Sequence, residues 1–290
     1  MAKNSLSAIV EKGLRPKKTR LSLSMEFIGN CIIRNGSIEP ADEQSHIGDD
    51  NEVYEVLRVE AGKPLFVEDH LARWRDSMKA VGVALPKWTD SFETLITWLI
   101  ACHTLPNCDM RIVASADGDI QCGYVQTDYP SLQMYAEGVK AELLNAERET
   151  PRLKIYHAGM RSEAQEQQDE TGAYESLLVN AEGRITEGSR SNAYFIAHDG
   201  TIHTAGDDEV LGGIIRKHIL ALCAQIGIKV VFECVVAERR ADFVSAFISS
   251  TPMRILPVRE IDGALFDVQN QTLRRLMSAM EELVAKQIKC

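Results

Sequence analysis

Apolar and polar positions along the chain repeat with two different periods, and the switches between them predict short strands interleaved with helices. EFIGNCIIR and VYEVLRVE read as strands, PLFV runs into a helix over EDHLARWRDSMKAVG, and SFETLITWLIACHTL predicts a second helix. MRIVAS and CGYVQ, separated by the turn ADGD, predict two further strands. Past the turn at Tyr129, Pro130 and Ser131, LQMYAE and VKAELLN predict strands, and RSEAQEQQDETG predicts a helix beyond a polar segment around Lys154. YESLLVN and SNAYFIA predict strands flanking ITEGSRSN, followed by a helix over GIIRKHILALCAQIG closed at Gly227. KVVFECVV, AFISS and ILPVREIDG predict the last strands. The closing segment QTLRRLMSAMEELVAKQI is amphipathic, with Leu273, Leu276, Met277, Met280, Leu283 and Val284 on one face.

This order predicts an α/β (α+β) protein of two domains, with a small N-terminal domain over 25–128 and a larger C-terminal one over 129–290. The boundary falls between Gln126 and Leu132. A chain of 290 residues is comfortable for two domains sharing a cleft. The first 24 residues carry six Lys or Arg against the single acid Glu11. They read as a basic extension rather than a secretory signal, since they have no apolar core.

Charge and composition narrow the function. A net charge of -10 with scattered basic residues leaves no footprint for nucleic acid, and no apolar run approaches membrane-spanning length. Seven cysteines without paired CxxC spacing read as reduced thiols, not a disulfide framework or a metal site, and point to the cytoplasm. No GxSxG is present, so nothing marks a serine hydrolase.

The residues themselves suggest chemistry at several points. Gly212 and Gly213 before a helix leave the amides of Ile214 and Ile215 free for an anion, although a plain helix cap reads the same way. Arg73 lies on a predicted helix, where an arginine is either a solvated charge or a fork for a phosphate. Lys154 has a catalytic use only if burial depresses its pKa. Glu187 stands at the mouth of a hairpin whose turn is already supplied by AEGR, which leaves the carboxylate without a turn-forming purpose.

Taken in order, VYEVLRV, HLARWRDS, LK, ITEGSRSN, LGGIIR and STPMRILPV resemble the fold-type IV, class IV pyridoxal-phosphate enzymes. That group includes branched-chain aminotransferases, D-amino-acid aminotransferases and aminodeoxychorismate lyase, and the resemblance covers nearly all of residues 25–265. It implies pyridoxal 5'-phosphate as cofactor. Lys154 corresponds to the lysine that holds the cofactor aldehyde and shuttles the substrate proton, and Glu187 to the acid beside the pyridine nitrogen. Arg73, the amides of Ile214 and Ile215, and Thr251 correspond to the phosphate cup. Ser189 and Asn192, with Ser191, are expected to shape the turn near the ring. Tyr54 and Arg58 share a strand face expected to border the substrate.

The resemblance further implies a homodimer, small amino-acid and 2-oxo-acid substrates, and transfer of an amino group between a branched-chain L- or D-amino acid and a 2-oxo acid. A lyase is the alternative, and a non-catalytic cofactor-binding protein a more remote one. Two departures touch the expected pocket rim: MRIVASADG lacks the Thr-Arg-Gly common in these aminotransferases, and Arg254 stands where they tend to carry glutamate.

Overall fold

The computed structural model describes residues 27–41, 52–115 and 118–289. The basic extension at 1–24 lies outside the described residues. The chain begins with β1 (Phe27–Arg34), β2 (Ser37–Pro40), β3 (Val53–Glu60) and β4 (Lys63–Pro64), then α1 (Val67–Ala80) and α2 (Phe92–Ala101), then β5 (Cys108–Ala114) and β6 (Ile120–Val125). These six strands form one antiparallel sheet in the order β2-β1-β6-β5-β3-β4.

β3 runs against β5 over its whole length, from Val53 opposite Ala114 to Val59 opposite Cys108. Strand alternation turns Leu57 and Val59 toward a core that also buries Trp74 and Met78 of α1 and Phe92, Ile96 and Leu99 of α2. The same alternation sends Tyr54 to the opposite face. Two layers therefore form, a sheet with helices on one side, and the other side is left to meet the rest of the chain.

The second half comprises α3 (Leu132–Glu137), β7 (Val139–Asn145), α4 (Ala158–Thr171), β8 (Glu175–Val179), β9 (Arg184–Gly188), β10 (Asn192–Ile196), β11 (Ile202–Thr204) and α5 (Ile214–Ile226). It continues through β12 (Val230–Phe232), β13 (Val235–Val236), β14 (Ser245–Ser250), β15 (Arg254–Ile261), β16 (Ala264–Leu265) and α6 (Gln271–Lys289). Its strands form a mixed sheet in which β10, β14, β15, β7, β8 and β9 follow one another. Pairing of Asn192 with Glu187 then joins β10 back to β9 and closes those six strands into a ring. α5 and α6 cover one side, where Tyr194 and Phe247 stack 4.4 Å apart above Ile219, Leu276 and Met280. The change from one sheet to the other falls between Val125 and Val139.

Three local expectations need correction. LQMYAE is the helix α3, not a strand: the Ser131 side chain accepts the Met134 amide as an N-cap, and no residue of this segment is buried. Its alternating Leu132 and Met134 face solvent rather than a sheet. KVVFECVV is two strands, β12 parallel to β11 and β13 antiparallel to β9, because the chain changes partner at Glu233 and Cys234. ITEG belongs to β9, so Glu187 sits on a strand of the closed ring rather than in a turn.

Candidate active site

A cleft between the two sheets gathers residues far apart in sequence, among them Tyr54, Arg73, Lys154, Glu187, Ile214 and Thr251. β3 supplies two neighbours with opposite tasks. Tyr54 faces the cleft, while the fully buried Glu55 points beneath α1 and accepts two hydrogen bonds from Arg73, at 2.9 Å from Nε and 2.6 Å from Nη2. His70 Nδ1 lies 3.0 Å from the same carboxylate. Burial alone raises the Glu55 pKa, but Arg73 and His70 outweigh it and hold the carboxyl well below its ordinary range. Arg73 is thereby locked at the cleft edge, where its Nη1 donates to the Gly212 carbonyl at 2.9 Å.

Lys154 is carried by a loop that adds to the edge of β3. Ile155 bridges Val53, and the Tyr54 amide donates to the Lys154 carbonyl at 3.0 Å. The Lys154 ammonium nitrogen lies 4.7 Å from the centre of the Tyr54 ring. Burial, reinforced by Arg73 and Arg161, lowers its pKa against the opposing pull of Tyr54 and Glu55. A neutral, nucleophilic amine is thus accessible at lower pH than for a surface lysine.

Glu187 is 3% exposed and hydrogen-bonded at both oxygens, to Arg148 Nε at 2.8 Å and to the Leu211 amide at 3.2 Å. Burial raises its pKa, and Arg148 and the Leu211 amide pull it back only in part. At the other end of the cleft, α5 starts at Gly213 with no side-chain cap, so its first-turn amides at Ile214 and Ile215 retain their donor capacity toward the cleft. A Cβ at Gly213 would collide with Asn192 Oδ1. Asn192 itself donates to the Leu211 carbonyl at 2.9 Å, so the turn from Leu211 to Gly213 is tied by Glu187, Asn192 and Arg73 together. Thr251 follows β14 and, with Ser250, lines the same end.

One expected site residue is turned elsewhere. Arg58 shares the Tyr54 face but does not line the cleft. Its guanidinium lies 3.7 Å over the Tyr129 ring and 3.5 Å from the buried Asp109, which also accepts from the Tyr129 hydroxyl. Ser189 shapes the turn, its hydroxyl donating to the buried Glu175 at 2.6 Å beside that of Ser191 at 2.8 Å. Arg254 is likewise off the rim, gripped by Glu60 and Glu281.

Sequence reasoning did not find Arg148, Arg161, Arg190 or Glu175. Arg148 and Arg161 bracket Lys154 on segments whose polar pattern looks like exposed chain. Arg190 lies inside a block already singled out, and its place on the cleft wall follows only from the turn that Glu175 holds.

The donor set fits pyridoxal phosphate: one half-buried amine for an aldehyde, one buried carboxylate for a ring nitrogen, and helix amides with a hydroxyl for a phosphate. Comparison with known proteins agrees. The family model for amino-transferase class IV matches residues 52–261, and the chain belongs to this family of pyridoxal-phosphate enzymes. It is 37% identical over 92 residues to a branched-chain-amino-acid aminotransferase of Pseudomonas aeruginosa, a match covering 32% of this chain and 30% of that enzyme. Over 245 residues it is 23% identical to a D-alanine aminotransferase of Bacillus licheniformis, covering 73% of this chain and 79% of the other. Among solved structures, a branched-chain aminotransferase from Thermoproteus uzoniensis superposes with a TM-score of 0.77 at 20% identity, covering 88% of this chain and 95% of that one. The fold is therefore that of the fold-type IV enzymes.

Proposed function

We propose that this aminotransferase moves an amino group between a branched-chain L-amino acid or a D-amino acid and a 2-oxo acid, in two half-reactions at the cleft around Lys154. The observation that carries the reading is a half-buried lysine with a depressed pKa and a buried carboxylate facing one cleft that also receives an uncapped helix N-terminus. Pyridoxal phosphate, when bound, supplies the electron sink for charge developing at the substrate α-carbon. Lys154 holds the cofactor, takes the α-proton and returns it. Glu187 keeps a negative partner at the ring-nitrogen end, with Arg148 holding that carboxylate ionised. Arg73, the amides of Ile214 and Ile215, and Thr251 bind the phosphate, while Asn192 and Ser189 keep the surrounding turns in shape. The working enzyme is a homodimer in the cytoplasm.

The deciding experiment is the visible spectrum of protein reconstituted with pyridoxal phosphate, before and after addition of separate pools of L- and D-amino acids. A Lys154-dependent band that bleaches with one pool supports transamination and identifies the handedness. A band that answers to neither pool moves the reading to the lyase. Lys154→Ala is expected to remove the band and turnover together, and a fully active variant would exclude the role given to Lys154.

A further inference from the structure

The cleft carries more positive charge than the groups discussed so far employ. Five cationic side chains, Arg73, Arg148, Lys154, Arg161 and Arg190, line it against the carboxylate of Glu187. Arg73 is compensated by Glu55 and Arg148 by Glu187. Arg190 donates to the Tyr174 carbonyl at 2.8 Å and stands 4.0 Å from Glu175. Arg161 has no ion-pair partner among the described residues, and its hydrogen bond is to the Tyr54 hydroxyl at 2.9 Å.

A guanidinium drawn partly out of water beside a tyrosine, with no carboxylate paired to it among the described residues, retains the capacity to hold an arriving anion. Burial opposes its charge, yet Tyr54 and the more distant Glu175 keep it protonated, so the fork stays positive. Its position is firm, since it projects from the first turn of α4 and Tyr54 from β3, held there between β5 and the Lys154 loop. The Tyr54 ring measures out the site. Its face lies under the Lys154 amine and its hydroxyl accepts from Arg161, so a single tyrosine side chain separates the guanidinium from the amine.

We propose that Arg161, with the Tyr54 hydroxyl, receives the α-carboxylate of the substrate and thereby sets the orientation of the amino acid at Lys154. This rests on the aminotransferase reading above. The α-carboxylate is the anion one bond from the carbon at which Lys154 works, so it is the substrate group that a cation at this distance reaches. A planar fork plus a hydroxyl matches the two oxygens of a carboxylate.

The test compares the holoenzyme with Arg161→Met, Arg161→Lys and Tyr54→Phe. In each, pyridoxal-phosphate affinity, equilibrium binding of isovalerate followed by the visible band, and kcat/KM for an amino acid and for the matching amine without a carboxylate are measured. Arg161→Met is expected to weaken isovalerate binding and amino-acid kcat/KM by about 100-fold, leaving cofactor affinity and the amine little changed, with Arg161→Lys recovering part of the loss. Unchanged isovalerate binding would overturn the assignment. So would equal losses for amine and amino acid together with weakened cofactor binding, which would turn Arg161 toward the cofactor. If the native enzyme transfers no amino group from either pool, the functional reading fails, yet isovalerate binding still decides whether Arg161 holds a carboxylate.

Discussion

At the scale of single residues, the site works by setting one charge against another. Glu187 is pushed toward protonation by burial, and Arg148 is the chief force holding it ionised. Removing Arg148 raises the Glu187 pKa further, so the carboxylate is lost at a higher pH. In Arg148→Leu the acid limb of the kcat/KM profile is therefore expected to move upward in pH, and a superimposable profile would show that Arg148 does not control Glu187. Gly213 offers a second residue-scale prediction. A Cβ there meets Asn192, the residue that fixes the Leu211 carbonyl, so Gly213→Ala must displace the turn ahead of α5. Weaker pyridoxal-phosphate binding is expected, read as a higher Kd by titration, with little loss of thermal stability because the turn borders the cleft rather than the core.

At the scale of elements, α1 connects core and site on its two faces. Leu71, Trp74 and Met78 are buried against the first sheet, while Arg73 emerges at the cleft. Trp74 is fully buried and packs edge-on against Phe92 with ring centres 5.4 Å apart. Its indole N–H has no hydrogen-bond partner among the described residues. Trp74→Ala is expected to cost about 3–5 kcal/mol of unfolding free energy, and Trp74→Phe distinctly less, since it sacrifices volume but no hydrogen bond. Urea titration of both variants checks the order, and equal losses would mean that the indole N–H matters after all.

At the scale of the whole molecule, buried charge makes stability depend on acid. Glu55 titrates below its ordinary value of 4.5, held there by Arg73 and His70 against burial. The buried His70 titrates below 6.5, because burial opposes its charged form more than Glu55 favours it. Both shifts are depressions, so both contributions are present above the unfolded-state pKa and are lost as pH falls, first through the histidine range and then through the carboxylate range. The urea midpoint is expected to decline from neutrality toward pH 4 and below, and Glu55→Gln to flatten that decline while lowering the midpoint at pH 7. A variant with the full native acid dependence would assign it to other groups. Arg254 acts at the same scale, joining Glu60 of the first sheet to Glu281 of α6 across the molecule.

The linear chain sufficed wherever a local rule decides the outcome. Helix periodicity marked α1, α5 and α6, and aliphatic runs marked β3, β5, β8 and β14, because each buries one stripe or face against a neighbour. Glycines before α5 and the isolated acid Glu187 were legible for the same reason. What only the tertiary structure decided is which distant charges meet. Arg58 and Arg161 are both single arginines in mixed surroundings, yet Asp109 claims the first and, among the described residues, no carboxylate claims the second. LQMYAE alternates like a strand, but Ser131 caps it into a helix that leaves Leu132 exposed and turns Tyr135 onto the second sheet. Pairwise electrostatics and partner choice depend on distances between segments roughly a hundred residues apart, and those distances exist only once the two sheets have closed around the cleft.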